Sequence, residues 1–526
     1  MESITPDKQE NSDLPDRCSR PPSSFNAYAR HILALFSGLL FFQSISSLKI
    51  HSTNQGLVET MTAAINQGYL AVPGPKILPL LDTMKSSLAG GLFFTLTVGA
   101  FVCLLSLAAA CIYLALPRMR RELGIVFFLV LSAALVTINL EDFLVFETAA
   151  MVAASATTFF VCCFFFKNHS PALSLKHLAI HGIFPLILAV LLFVLPQNKD
   201  SRIFSDFRDT FLMSNPLGMT INDFYYTHTL SPAEVFKSLD QKQIKSCHLV
   251  LDGVNEMHRP QIEQALLSRD FLILDSVKNP DLVVRAQDQN LLFYRDGKEI
   301  STMRLIDFMA SPSDLIKNYS KATDSYAPYR KIVGLSLISG LPLLMYILMH
   351  GLFFAGLSLA VKGPKAPLAA SVCCFAVGLA CFFLLYTSTK EPVEGSNIRT
   401  LLSSPSLNQR VSALQFLAEH NLDLTFYPAA LKSMESPSVL ERYWFARAAH
   451  KSRDPLIFSK IIALVDDVHP NVACQAFYTL GMMGNVDSVP VIERKIVEAR
   501  NWYVQWYAYK ALKRLGWTQQ RSAAKP

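Results

Sequence analysis

Charge is scarce in this sequence. Asp, Glu, Lys and Arg together make up 17% of the 526 residues, hydrophobic residues make up 51%, and the mean hydropathy is +0.30. A soluble chain of several ordinary domains carries about a quarter charged residues, so that class is excluded, as are a disordered chain and a secreted disulfide scaffold. Cysteine is scarce wherever it would act as a staple. The two soluble stretches hold one each, Cys247 and Cys474, so neither is bridged internally and only a bridge between them stays open. Cys103, Cys111, Cys162, Cys163, Cys373, Cys374 and Cys381 fall instead in apolar runs, where they read as small residues that let helices approach. No glycine-rich phosphate loop is present, and Asp252-Gly253 is a turn signal alone, which leaves dinucleotide binding without support. His248, Asp252, Glu256 and His258 crowd one strand end, but their spacing fits no common zinc pattern and they read as a polar loop.

Long apolar runs are what the sequence does have. A membrane span needs about 20 mostly apolar residues in a helix, because hydrocarbon offers the backbone no other hydrogen-bond partners. Seven segments qualify: 32–48, 88–116, 124–140, 148–166, 178–195, 332–361 and 368–386. The first is short and carries Gln43 and several serines, and Gly340 with Pro342 offers the sixth a kink. A tail rich in Pro, Ser and mixed charge precedes the first run, which therefore reads as an uncleaved signal anchor behind a disordered segment, 1–30.

Orientation follows from the basic loops. Arg118, Arg120 and Arg121 follow the second segment, Lys167 and Lys176 precede the fifth, and Lys362 and Lys365 precede the seventh; helix parity puts all three loops on one side, the cytoplasmic one. The turn holding Glu141, Asp142 and Glu147 falls opposite and reads as a solvated acidic turn. The expected organisation is a cytoplasmic tail, five spans over 31–195 with an external loop at 49–87, an external α/β domain at 196–329, two spans over 330–388, and an external helical repeat domain at 396–520.

Within the first soluble stretch, His248–Leu251, Phe271–Leu274, Leu282–Val284, Leu291–Tyr294 and Lys298–Ile300 read as strands and 260–268 as an amphipathic helix. Asp296-Gly297 supplies a hairpin turn. The stretch 204–239 reads as helices near the membrane surface, anchored by Phe224, Tyr225 and Tyr226.

An internal repeat marks the last stretch. Pro405-Ser406-Leu407, Pro437-Ser438-Val439 and Pro470-Asn471-Val472 recur at separations of 32 and 33, and Trp502-Tyr503-Val504 follows 32 later. Each is expected to open a helix. Val472, Ala476 and Leu480, and again Val504, Ala508 and Leu512, run at four-residue spacing, and Gly484 and Gly516 are expected to end the third and fourth helices. These residues resemble HEAT-like repeats of the short kind found in phycobilin lyases and many bacterial proteins. The resemblance covers about 120 residues and departs from the pattern at Tyr443, Trp444 and Arg447. It implies an α-solenoid that offers a surface to a partner. The iron-binding His-Glu dipeptides of some enzymes of that group are absent from this domain, and the fold alone does not imply bilin chemistry.

The expectation is therefore a polytopic α-helical membrane protein, about seven spans, with an inserted α/β domain and a C-terminal HEAT-like solenoid. Its expected role is a scaffold or assembly factor in a bacterial-type inner membrane. It would recruit a protein partner on the external, periplasmic side, with no nucleic acid involved. In the last helix Val504, Ala508, Ala511 and Leu515 share the core face, and Trp502, Trp506, Tyr509 and Lys513 share the opposite one, the composition of an interface hot spot. One alternative is a transporter or channel component gated by the external domains. Another is a membrane-embedded enzyme using His177, His181 and His350, which are also the candidates for haem ligation; no catalytic residue, metal site or required cofactor is assigned. Reporter fusions placed at Gly253 and after Trp517 should both read out on the non-cytoplasmic side; a cytoplasmic signal from the second alone would mean that one of the last two segments does not span.

Overall fold

The computed structural model describes residues 24–166, 207–252, 257–361, 365–387 and 393–521. Helices make up 72% of it, a small mixed sheet is present, and five helices among the described residues are long and apolar enough to cross a membrane. The first, α1 (Ser24–Asn66), runs for 43 residues, about 65 Å at 1.5 Å per residue. That is roughly twice the hydrocarbon thickness. Residues 49–66, expected in a loop, thus continue the helix. Its interior holds no proline, Thr53 Oγ1 and Thr60 Oγ1 donate to the carbonyls of Lys49 and Gly56 at 3.0 and 2.9 Å, and Ile50, Met61 and Ala64 extend the buried stripe past the apolar segment.

Helices α2 (Met84–Ala115) and α4 (Val145–Phe165) pack along α1, and α3 (Arg120–Ile138) lies outside them. Close approach depends on Gly38: a Cβ there would overlap Thr158 Oγ1 and lie 2.8 Å from the carbonyl oxygen of Ala154. Along α3 only Ile138 is buried, while Ile125, Phe128, Leu129 and Val130 are exposed, a surface suited to lipid tails.

Two helices, α5 (Pro216–His228) and α6 (Leu230–Phe236), lead into the sheet. The chain then forms β1 (Lys245–Val250), α7 (Arg259–Leu267), β2 (Phe271–Ile273), β3 (Leu282–Gln287), β4 (Asn290–Arg295) and β5 (Lys298–Arg304), closed by α8 (Pro312–Ala322). Strand order is β2-β1-β3-β4-β5, with β1 parallel to β2 and β3 and the last three strands antiparallel. Asp296 and Gly297 take φ of 48° and 77°, the two left-handed residues that a tight hairpin needs. Cys247, Ile262, Leu266, Phe271, Val284, Phe293, Phe308 and Tyr319 fill the core. Of the expected surface anchors, Phe224 and Tyr225 are exposed on α5, whereas the Tyr226 ring packs edge-on against Tyr503 at 4.6 Å.

The chain re-enters the bundle as α9 (Ala327–Ala360), followed by α10 (Lys365–Thr387). At Gly340 a Cβ would come within 2.9 Å of Phe101 Cβ and 3.0 Å of its backbone nitrogen, so α9 can cross α2 this closely only with glycine there. The segments expected to span at 88–116, 124–140, 148–166, 332–361 and 368–386 fall on α2, α3, α4, α9 and α10, and 178–195 lies outside the described residues.

After a short helical turn at Ile398–Leu402, six helices of ten or more residues follow among the described residues: α11 (Leu407–Glu419), α12 (Val439–Ala448), α13 (Pro455–Leu464), α14 (Pro470–Met483), α15 (Val489–Glu498) and α16 (Trp502–Arg514). The row α11, α12, α14, α16 forms one layer, with α13 against α14 and α15 against α16. Pro470 and Trp502 are first helical residues, but Pro405 and Pro437 stand two residues ahead of their helices, where Ser438 caps the backbone N–H of Glu441 at 3.4 Å. Gly484 and Gly516 follow α14 and α16 with φ of 73° and 81°. Ala476 and Ala508 are fully buried where the two helices meet.

This layer does not stand alone. Its core is continuous with Met61 and Ala64 of α1, with Tyr69, Val72, Ile77 and Leu78 of the following segment, and with Met213, Leu230 and Ile244. Buried Asp209 accepts from Arg208 at 2.7 Å and from the indole N–H of Trp444 at 2.9 Å, and the Arg208 guanidinium lies 4.3 Å from the Tyr443 ring. Tyr443 and Trp444, the departures from the repeat pattern, thus receive this segment. Replacing Asp209 by Ala takes the acceptor from the Trp444 indole and from Gln415 Nε2, and leaves the buried Arg208 guanidinium without its carboxylate. It should destabilise the detergent-solubilised protein by about 3 kcal/mol, read as a lower melting temperature, while leaving Asp223→Ala, on the same stretch, close to wild type.

Candidate functional site

Helix α16 is set by Asn501, whose Oδ1 accepts from the backbone N–H groups of Tyr503 and Val504 at 2.8 and 3.3 Å. Val504, Ala508 and Ala511 face the core as their spacing requires, with Leu515 half-buried beside them. The opposite face is only partly open to solvent, in place of the exposed hot spot expected of it. Trp502 and Tyr509 are buried at 5% and 0% exposure, and Trp506 and Lys513 are half-buried. The α/β module covers part of this face. Tyr509 donates its phenol to Asp270 Oδ1 at 2.6 Å, Lys513 Nζ reaches the same carboxylate at 3.0 Å and Ser268 O at 3.2 Å, and Gln243 Nε2 donates to the Trp506 carbonyl at 3.1 Å. Large aromatic rings with polar tips gain by burial when the tip finds a partner. Asp270, held at φ 64° between α7 and β2, provides that partner.

Where this seam opens it leaves a cleft of about 500 Å³. Five lysines line it, Lys237, Lys242, Lys245, Lys510 and Lys513, together with Trp506, Tyr509, Asp240 and Asp270. Lys513 is paired with Asp270, Lys242 with Asp281 and Lys237 with Glu234, which leaves Lys245 and Lys510 against the single carboxylate of Asp240 and a small excess of positive charge. The Trp506 ring forms a wall between two cations, Lys510 Nζ at 3.6 Å and Lys237 Nζ at 5.4 Å from its centroid. Burial pulls the Lys510 ammonium below the ordinary lysine range, and neighbouring Arg514 and Lys237 push it further in that direction. Lys245 is lowered by burial too, against the opposing pull of Asp270, Asp240 and Asp281. An anion entering here would relieve both the desolvation and the mutual repulsion. The arrangement suits recognition of a negatively charged group beside a flat apolar surface.

Of the sequence-expected histidines, the one among the described residues is not part of it. His350 is buried on α9 with its Nε2 3.2 Å from the carbonyl of Pro367, so that nitrogen carries the proton and ties α9 to α10; His177 and His181 lie outside the described residues. His258 pairs with Gln261 at 3.3 Å, and Glu256 lies outside the described residues. Glu147 departs from the solvated-turn reading: it is buried and accepts from the Tyr326 hydroxyl at 3.2 Å, while Glu141 and Asp142 are exposed. Sequence reasoning missed the cleft because its lysines come from two distant stretches. The only local hint was the Lys237, Lys242, Lys245 spacing in a polar connector.

No protein-family model matches the chain, and no curated protein and no solved structure is significantly similar to it.

Beside the cleft, Asp281 holds the start of β3 to β1. It accepts from Lys242 Nζ at 2.6 Å and from the backbone N–H and hydroxyl of Ser246 at 3.0 and 3.2 Å. Burial works to raise its pKa, but Lys242 and the Ser246 N–H outweigh it and hold the carboxyl below its ordinary range. A depressed folded-state pKa stabilises at pH values above the unfolded one, and that gain disappears as the pH falls through the folded value. Between about pH 5 and pH 3 the wild type should lose more stability than Asp281→Asn, measured by denaturant midpoints; parallel losses would remove Asp281 from the acid response.

Proposed function

We propose that this protein is a membrane-anchored scaffold that recruits a protein partner on the non-cytoplasmic side through an acidic segment. The observation that carries the reading is the cleft of five lysines around Trp506, built jointly by the α/β module and the last helix. In this reading the six C-terminal helices are a short HEAT-like solenoid, the bundle has seven spans, and the partner arrives in the periplasm of a bacterial-type cell. The layered helices and the basic loops between apolar segments support those finer points. Transport and haem chemistry have less support, because the buried His350 already bonds to the carbonyl of Pro367.

The test uses full-length protein in detergent and a synthetic glutamate-rich peptide. Wild type should bind with an affinity that falls as salt rises, and that weakens at alkaline pH earlier than an ordinary lysine titrates, since Lys510 and Lys245 are lowered. Replacing Lys237 and Lys510 by Glu should weaken binding at least about tenfold, or ~1.4 kcal/mol. Binding that ignores both salt and the double replacement would sink the proposal. Purification from native membranes should in addition bring down one stoichiometric protein, lost in the same variant.

A further inference from the structure

A second cluster lies far from the cleft, at the end of the bundle where α1 begins and α2 and α4 finish. His31 of α1, Cys111 of α2 and Cys162 of α4 converge there, with their ligating atoms all within 4.8 Å of one another. All three are buried, at 7%, 8% and 0% exposure. Among the described residues this is the only grouping of three such side chains with that geometry. It is enclosed by Ala34, Ala110, Leu114, Phe159 and Phe166, and the Phe166 ring lies 4.4 Å from the imidazole. Each donor comes from a different helix. Their convergence is therefore a property of the packed bundle, not of a local motif, and no sequence spacing announces it.

We propose that His31, Cys111 and Cys162 bind a zinc ion. Two sulfurs and an imidazole form a soft to intermediate donor set, which selects against magnesium and calcium. Charge decides among the thiophilic ions. In an apolar pocket a net charge is costly, and two thiolates cancel a divalent cation, whereas with a monovalent ion they leave the site negative. Coordination releases the two thiol protons to solvent and involves no electron transfer. Zn–S and Zn–N bonds of about 2.3 and 2.0 Å set donor atoms about 3.5 to 3.8 Å apart. Reaching that from separations of 4.8 Å or less needs side-chain shifts of about 1 Å, without moving the helices. Such an ion would clamp the three helices together near one membrane surface.

The test uses the reduced, tag-free full-length protein in detergent. Elemental analysis after zinc loading and dialysis should give about one ion per chain, and cobalt in its place should give intense thiolate-to-cobalt absorption in the near ultraviolet. Cys111→Ser and Cys162→Ser should each remove that band, and His31→Ala should weaken zinc binding at least about tenfold, while Cys103→Ser and Cys163→Ser keep it. The wild-type cobalt spectrum decides the matter even where a variant fails to fold. A wild type without zinc or without the sulfur band, a disulfide between Cys111 and Cys162 in the freshly isolated protein, copper(I) bound in preference to zinc, or a band retained in both serine variants would each overturn the assignment.

Discussion

One continuous helix runs through three of the protein's apolar cores. Over about 65 Å, α1 contributes Ala34 to the small apolar cluster at one end of the bundle, Leu35, Leu39, Phe42 and Ile50 to the main membrane core, and Met61 and Ala64 to the core beneath the C-terminal helices. A rigid helix with buried residues in three separate cores transmits position between them, because none can shift without dragging the same backbone. The polar stretch around Thr53 and Asn54 survives as helix because its side chains bond to nearby carbonyls, including that of Leu81 at 3.1 Å from Asn54 Nδ2.

The soluble body is organised by the same economy of faces. Helix α16 buries alanines and Val504 against α14 and α15, and buries Trp502 and Tyr509 on its other side. Its polar atoms are then satisfied from several directions: Gly74 N–H donates to Gln505 at 2.8 Å, the Tyr509 hydroxyl donates to Asp270 at 2.6 Å, and Lys513 Nζ donates to the Ser268 carbonyl at 3.2 Å. A helix buried on two faces needs each of its buried polar groups paired. The lysine-lined cleft is what remains where that coverage stops.

Much of the membrane core and of the sheet was legible in the sequence, since both follow from runs and alternation of apolar residues. Asp296-Gly297 announced its hairpin, and Gly484 and Gly516 announced their helix ends. What stayed hidden was tertiary. The spacing on α16 correctly separated two faces, but could not say that Asp270, 239 residues away from Tyr509, would cap the second. The end of α1 was misread because hydropathy marks where lipid stops, not where a helix stops. The candidate cleft and the buried His31, Cys111 and Cys162 group draw on residues from distant segments, which no local pattern brings together.

The contact between Gln519 and Leu70 carries a consequence for biosynthesis. The Gln519 amide accepts from the Leu70 N–H at 3.2 Å and donates to its carbonyl at 2.8 Å, across a sequence separation of 449 residues, and Arg521 adds a bond to the Tyr69 hydroxyl at 2.7 Å. Translation at 5 to 20 residues per second places roughly 20 to 90 s between the emergence of the first partner and the last. Through that interval Tyr69, Val72, Ile77 and Leu78 lack the core that they finally occupy, and must be held by the membrane or a chaperone. The soluble body therefore closes only once Gln519 has emerged, and a ribosome that stalls before that point leaves an apolar edge open at the bilayer.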